Sequence, residues 1–279
     1  MGTANRASSL REAARMADDV EAQAFIDLYD AAPSSLRTRL GLEARRIADV
    51  TLLLAPGLPA PIFNRAIGLG MEVAASQRAI DAIAGHYRHA GVASWWLHWN
   101  SHATPAGFPA VLQAAGFTLA RRRAWAKMVR GTAAPPRLAT ALEIGHASDA
   151  DIETLASTIA RVFEMPAFMA EWFAALHRRS GWRFYVARDA GAIVGGGCIF
   201  RHGDVAWLGL GSVLPDHRRR GGQGALMAMR IEDAIRDGAR HIVTETGEAI
   251  ADEPNPSLSN MGRCGFERVA SRANWSAPA

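Results

Sequence analysis

The chain has 279 residues, enough for two domains of ordinary size. Hydrophobic residues make up 49% and charged residues 21%, which excludes a disordered or low-complexity protein. The formal net charge of +4 suits an anionic ligand, but the arginines stand in short groups (Arg121 to Arg123, Arg178 and Arg179, Arg218 to Arg220) without interleaved aromatics, which argues against a nucleic-acid-binding stripe.

At the N-terminus the first apolar run is broken by Arg11, Glu12 and Arg15, so no secretory leader is expected. Gly2 is followed by Arg6, where a myristoylation signal needs Ser or Thr. No apolar run approaches the length of a bilayer span. Cys198 and Cys264 form no CxxC pair and offer no metal-ligand spacing. The expectation is a soluble cytoplasmic protein with reduced thiols and no metal, membrane or nucleic-acid partner.

Along the chain, Ala66-Ile-Gly-Leu-Gly70 precedes a helical stretch, then the aromatic strand around Trp95, Trp96, His98 and Trp99, then a helix that stops at Gly116-Phe117. Those aromatics suit a strand core, with a ligand-facing wall as the alternative. The Pro-rich segment Gly131-Thr-Ala-Ala-Pro-Pro-Arg137 reads as a seam between residues 1–130 and 138–279. Beyond it, a strand is expected near Leu142 to Ile144, and a helix capped by Asp149 or Asp151 running towards Val162. A second helix follows Pro166 and carries Phe168, Trp172 and Phe173, which either pack on the sheet or form an apolar acceptor pocket.

Phe184 to Arg188 and Ile193 to Phe200 then form a hairpin about Asp189-Ala-Gly191. The turn Arg201-His-Gly-Asp204, with His202 and Asp204 facing solvent, leads to a strand over Val205 to Val213. A helix runs from Gly224 to about Arg236, a strand from His241 to Thr246, a helix from Ser257 to Arg263, and the last strand covers Phe266 to Trp275. Trp207-Leu-Gly-Leu-Gly211 and Gly265-Phe266 repeat, in the same order, signals of the first half. This order suggests a tandem duplication of one α/β unit.

The chemistry concentrates in Val213-Leu-Pro-Asp-His-Arg-Arg-Arg-Gly-Gly-Gln-Gly-Ala-Leu-Met227. Pro215 ends the strand, and glycines then let the backbone bend closely round an anion just before a helix. The first turn of that helix carries unpaired N–H groups and partial positive charge, and the arginines add charge-assisted donors. Together these make a pyrophosphate cradle. There is no Gly-Lys-Ser/Thr, so it is not a P-loop, and Gly221, Gly222 and Gly224 have the wrong spacing and place for a dinucleotide fold.

With Val213, Pro215, Arg218, Gly221 and Leu226 in register, the segment resembles motif A of the GNAT N-acetyltransferase superfamily, Val-x-Pro-x-x-Arg-x-x-Gly-x-Gly/Ala-x-x-Leu. It departs at Gln223, where Gly or Ala is usual. Asn255-Pro-Ser-Leu-Ser-Asn-Met-Gly-Arg-Cys-Gly-Phe266 is similar to motif B. The resemblance covers about residues 140 to 275. It implies an α/β (α+β) fold with a mixed, largely antiparallel central sheet flanked by helices, duplicated here. It also implies transfer of an acetyl group from acetyl-CoA to a primary amine of a small molecule or peptide, in a monomer or homodimer. A non-catalytic acyl-CoA-binding protein is the alternative.

The same resemblance assigns the pantetheine arm to backbone groups of Ser212, Val213 and Leu214, with the Val213 amide as oxyanion donor. It assigns the pyrophosphate to Arg218, Arg219, Arg220, Gly221, Gly222, Gln223, Gly224 and Ala225. Asn255 and Ser257 stand where the family contacts the pantetheine or sulfur, although Asn-Pro-Ser is also good turn chemistry before a helix. Glu245, then Glu248, are candidate general bases, with a hydrogen-bond role for Glu245 as the alternative. The family's motif B tyrosine is replaced by Met261, so no general acid is evident. Glu72-Val-Ala-Ala-Ser-Gln-Arg78 replaces the cradle in the first half, which implies that residues 1–130 are a degenerate copy without cofactor binding.

Overall fold

A computed structural model describes residues 3–249 and 255–278, without the side chains of residues 3–5 and 121–123, so the Arg121 to Arg123 run lies outside the described side chains. The first half contains α1 (Thr3–Ala31), α2 (Ser34–Leu40), β1 (Glu43–Ile47), β2 (Val50–Leu54), β3 (Arg65–Ile67), α3 (Gln77–His89), β4 (Trp96–Asn100), α4 (Phe108–Ala114) and β5 (Thr118–Arg130). The second contains β6 (Glu143–His146), α5 (Ile152–Val162), α6 (Met169–Ala175), β7 (Trp182–Asp189), β8 (Ala192–His202), β9 (Val205–Val213), α7 (Gly222–Arg236), β10 (His241–Gly247), α8 (Pro256–Arg263) and β11 (Glu267–Ser276).

All the described strands join one sheet in the order β1-β2-β3-β4-β11-β5-β10-β9-β8-β7-β6. Pairing is antiparallel except between β3 and β4 and between β9 and β10, which are parallel. A parallel pair needs a crossover, and in each half a helix supplies it: α3 between β3 and β4, α7 between β9 and β10. The two halves thus repeat one topology about the centre of the sheet, as the repeated sequence signals suggest. Their last strands are exchanged: β5 sits between β11 and β10, and β11 between β4 and β5.

Local sequence explains the ends of the elements that frame the site. Ser148 begins the helical segment before α5, and the Asp151 carboxylate accepts from Ser148 N–H (2.8 Å) and Oγ–H (2.7 Å). The cap is therefore Ser148, not either aspartate; Asp151 closes the capping box from the third helical position. Ala190 (φ 48°) and Gly191 (φ 82°) are both left-handed, as a two-residue hairpin turn following the twist of its strands requires.

The core is shared between the halves. Leu28 and Tyr29 of α1 pack in one cluster with Trp172 and Phe173 of α6 and with Trp182 and Trp207. Trp172 is fully buried and its indole N–H donates to the Leu28 carbonyl (2.7 Å). The aromatics of α6 are therefore sheet packing, and Phe168 is only partly buried against the same cluster. Trp95 stacks on Tyr87 (4.2 Å between centroids) and Trp99 on Phe108 (5.1 Å), so these tryptophans are core rather than ligand wall.

At the seam the core is charged. The Lys127 ammonium lies 2.7 Å from Glu21 and 2.8 Å from Glu245. Arg65 lies 3.1 Å from Glu21, and Arg272 reaches Glu21 and, at 2.9 Å, Asp18. Asp18 and Glu21 belong to α1 of the first half, whereas Glu245 and Arg272 belong to strands of the second.

Candidate functional site

The site is built where β9 and β10 part. Their pairing covers His241 with Val205, Ile242 with Ala206 and Val243 with Trp207, and no pairing joins them beyond that point. On the other side of β9, the register against β8 slips between Gly196–Ser212 and Cys198–Gly209, and Leu210 within this bulge has φ 54°. Arg230 of α7 lies under the bulge and donates to the carbonyls of Cys198 (3.3 Å) and Gly209 (3.1 Å). Gly197 and Gly211 leave room for the guanidinium there. A Cβ at Gly197 would stand 2.8 Å from the Arg230 guanidinium, and one at Gly211 3.2 Å from it.

Past the bulge, Leu214 N–H donates to the Val194 carbonyl (2.8 Å) and the Leu214 carbonyl accepts from His217 N–H (2.9 Å). Donors alternate sides along an antiparallel pair, so the Val213 N–H points away from β8, towards the gap. The Val213 carbonyl accepts from Arg218 Nε–H (3.1 Å), which draws the arginine loop back over the strand end. Arg219 (φ 61°) and Gly221 (φ 79°) make the left-handed turns that aim the first N–H groups of α7 outward.

A cleft of about 730 Å³ runs along this edge. It brings together Ser212, Val213, Arg218, Arg219, Gly221, Gly222, Gln223, Gly224 and Ser257. Leu214, Arg220, Ala225, Asn255 and the candidate base Glu245 do not line it. Arg220 turns to the hairpin and clasps Asp189 with both terminal nitrogens, one at 3.0 Å. The Asp189 carboxylate is held below its usual range by Arg220 and His217. Asn255 caps α8: its Oδ1 accepts from Leu258 N–H (3.0 Å) and its Nδ2 donates to Gly247 (2.7 Å), the turn role open to it from sequence. Gln223 accepts from Asn260 Nδ2 (2.9 Å), tying the start of α7 to α8.

Several lining residues were not singled out from the sequence. Leu138 and Ala139 come from the segment after the Pro-rich seam, Val162 and Phe163 from the end of α5, and Asn260 and Arg263 from α8. The seam segment also explains the glycines. A Cβ would stand 2.2 Å from the Ala139 carbonyl at Gly221, 2.6 Å from Leu142 at Gly222 and 2.8 Å from Leu138 at Gly224. Thr140 Oγ–H anchors this wall to the Arg220 carbonyl (2.8 Å).

Glu245 lies on β10 at the divergence, 12% exposed. Its carboxylate accepts from Lys127 (2.8 Å) and from the Trp207 indole N–H (3.2 Å to each oxygen). Thr244 donates elsewhere, to the Leu208 carbonyl (2.9 Å). Glu248 pairs with Arg268 (3.0 Å). Met261 is buried, and Tyr29, Tyr87 and Tyr185 are core residues that do not line the cleft. His202 and Asp204 are exposed, as expected.

The matching place in the first half is closed by the protein itself. Asp49 Oδ2 accepts from the N–H groups of Glu72 (3.3 Å) and Val73 (3.0 Å). Arg11 donates to the carbonyls of His102 (2.9 Å), Gly70 (3.3 Å) and Met71 (2.9 Å). Among the described residues no group of three or more His, Cys, Asp or Glu could hold a metal, and no helix is long and apolar enough to cross a membrane.

Comparison with known proteins agrees with this geometry. Most of the chain shares its fold with a GCN5-related N-acetyltransferase from Kribbella flavida (17% identity, TM-score 0.61, covering 88% of this chain and 94% of that one). It is similarly close to a GCN5-related N-acetyltransferase from Sphaerobacter thermophilus (16%, 0.59, 87% and 84%). A tandem GNAT protein from the clavulanic acid biosynthesis pathway also matches (17%, 0.58, 82% and 79%). No curated protein matches the sequence. The sequence model of the Acetyltransferase (GNAT) family matches residues 150–266, the stretch that holds β9, the glycine loop and α7.

Proposed function

We propose that the protein is an acyl-CoA-dependent N-acetyltransferase that acylates a primary amine of a small molecule or peptide. The observation that carries this reading is the cleft at the start of α7. There, helix N–H groups without intrahelical partners adjoin Arg218 and Arg219, whose side chains are exposed at its mouth. This donor set fits a pyrophosphate. Acetyl-CoA would supply an acyl group already activated as a thioester.

In this reading the loop from Arg218 to Gly224 holds the diphosphate, with Arg220 bracing the loop through Asp189. Ser212 and Val213 offer backbone groups to the pantetheine arm as an added strand would. The Val213 N–H, turned towards the gap, is the donor for the developing oxyanion. Glu245 receives the amine proton, and Lys127 and Trp207 hold its carboxylate in place. The thiolate leaves without a tyrosine acid. Residues 1–130 contribute α1 and strand β5 but bind no cofactor, because Asp49 and Arg11 take up the corresponding backbone groups. The exchange of last strands within one chain favours a monomer.

A second reading, acyl-CoA binding without turnover, is favoured by one observation: Glu245 is already engaged by Lys127. Calorimetric titration of acetyl-CoA into the wild type and an Arg218→Glu/Arg219→Glu variant tests the cleft. The expected result is binding to the wild type that weakens by about tenfold or more in the folded variant. A folded wild type that does not bind overturns the proposal. Binding without turnover over a broad panel of amines selects the second reading.

A further inference from the structure

The cleft at the start of α7 is lined by arginines from two different elements. Arg218 and Arg219 stand in the loop before α7, and Arg263 stands in the last turn of α8. All three are exposed, and no Asp or Glu lines the cleft among the described residues. Arginines elsewhere on the surface are paired: Arg220 with Asp189, Arg183 with Asp237 and Arg268 with Glu248. Arg218 and Arg263 instead donate to neutral oxygens, the Val213 carbonyl and the Asn260 amide. Cations gathered in one concave place without carboxylates favour a ligand of high negative charge.

Arg263 is placed beside the glycine loop, not within it. Ser257, Asn260 and Arg263 recur at every third residue of α8, so they share the helix face that lines the cleft. Asn260 Nδ2 donates to Gln223 Oε1 (2.9 Å) in the first turn of α7, and Asn260 Oδ1 accepts from Arg263. This relay ties the guanidinium to the helix start that offers its N–H groups to a diphosphate. Arg263 lies one turn further along α8, about 4.5 Å from Asn260 along the axis. One of its five N–H donors is used by Asn260, which leaves the others for a ligand.

We infer that Arg263 binds the 3′-phosphate of the coenzyme and makes this protein distinguish coenzyme A from its 3′-dephospho form. The inference rests on the acyl-CoA reading above, because it needs the diphosphate seated at the start of α7. Coenzyme A carries a phosphate monoester on the ribose, separated from the diphosphate only by atoms of that sugar. A third anionic group next to the diphosphate matches a third arginine next to the diphosphate donors. A guanidinium meets a phosphate through paired, charge-assisted hydrogen bonds that an ammonium does not reproduce. Arg263 also stands where a cation favours the C-terminal end of a helix. That role would change the stability of α8, not the ratio of two ligands that differ by one phosphate.

The test is calorimetric titration of acetyl-CoA and 3′-dephospho-acetyl-CoA, at low ionic strength, into wild type, Arg263→Met and Arg263→Lys, each checked for a folded melting transition. The wild type should bind the dephospho form about fivefold or more weakly, and Arg263→Met should narrow the ratio to about twofold or less by losing affinity for acetyl-CoA alone. Arg263→Lys keeps the charge without the fork and should fall between them. A wild type that binds both ligands equally, or a folded Arg263→Met that keeps the wild-type ratio, would overturn the inference. Either result, with acetyl-CoA still bound, removes only the role of Arg263, whereas a folded wild type that binds neither ligand removes the acyl-CoA reading and this inference together.

Discussion

Gly221 answers two demands at once. Its φ of 79° starts α7, and the Ala139 carbonyl lies where its side chain would be. Alanine there meets both a left-handed backbone and a clash with main chain, which cannot give as a flexible side chain can. Gly221→Ala should lower stability by about 1–3 kcal/mol in urea unfolding, more than Gly238→Ala, where φ is also positive (88°) but nothing lies within 4 Å. The two thiols make a second residue-level case. Cys198 and Cys264 are buried, and burial pushes the Cys198 thiol up to about 12. Neither should alkylate in the native protein at pH 8, and both should react once it is unfolded; rapid native labelling of Cys198 would contradict its packing under Arg230.

At the scale of elements, the start of α5 depends on an ionised carboxylate. Arg188 and then Ser148 hold Asp151 down to about 2, below the ordinary carboxylate range. A group whose folded pKa is depressed stabilises above its unfolded pKa, near 4, and loses that contribution as pH falls towards the folded value. Asp151→Asn should therefore be less stable than wild type at pH 6, with the difference shrinking between about pH 4 and pH 2; a constant difference would rule out the charged cap. The charged seam makes a larger prediction for β5. Lys127 is fully buried between Glu21 and Glu245, and Lys127→Met leaves both carboxylates without that cation. Removing one member of a buried ion cluster costs about 3–5 kcal/mol, which chemical denaturation would measure directly.

For the whole molecule, the exchange of β5 and β11 means that neither half completes its own sheet. Full-length protein should unfold in one transition seen alike by tryptophan fluorescence and circular dichroism. Residues 138–279 alone would lack β5 between β10 and β11, and would lack α1, whose absence uncovers the buried Trp172, Trp182 and Trp207. That fragment should aggregate or unfold without a cooperative transition; a stable monomeric fragment would show that β11 can fold back onto β10.

Much was legible before the fold was known. The periodicity and turn signals of the second half mark β7, β8, β9, α7 and β10 to within a few residues, because amphipathic period and Gly–Asp turns are local properties. The Val213 to Met227 segment announces an anion-binding helix start for the same reason. The repeated order of signals pointed to the duplication that the topology carries. What the chain order could not express is contact between distant residues. That Arg220 serves Asp189, that Leu138 and Ala139 form a cleft wall, and that Glu245 meets Lys127 and Trp207 all follow from tertiary packing. Sequence by itself determined where the backbone would turn and which helix would offer free N–H groups; only the tertiary structure decided which charged side chains face the cleft and which are drawn into pairs, because that choice depends on partners well removed along the chain, 31 residues away for Arg220 and Asp189 and 118 for Lys127 and Glu245.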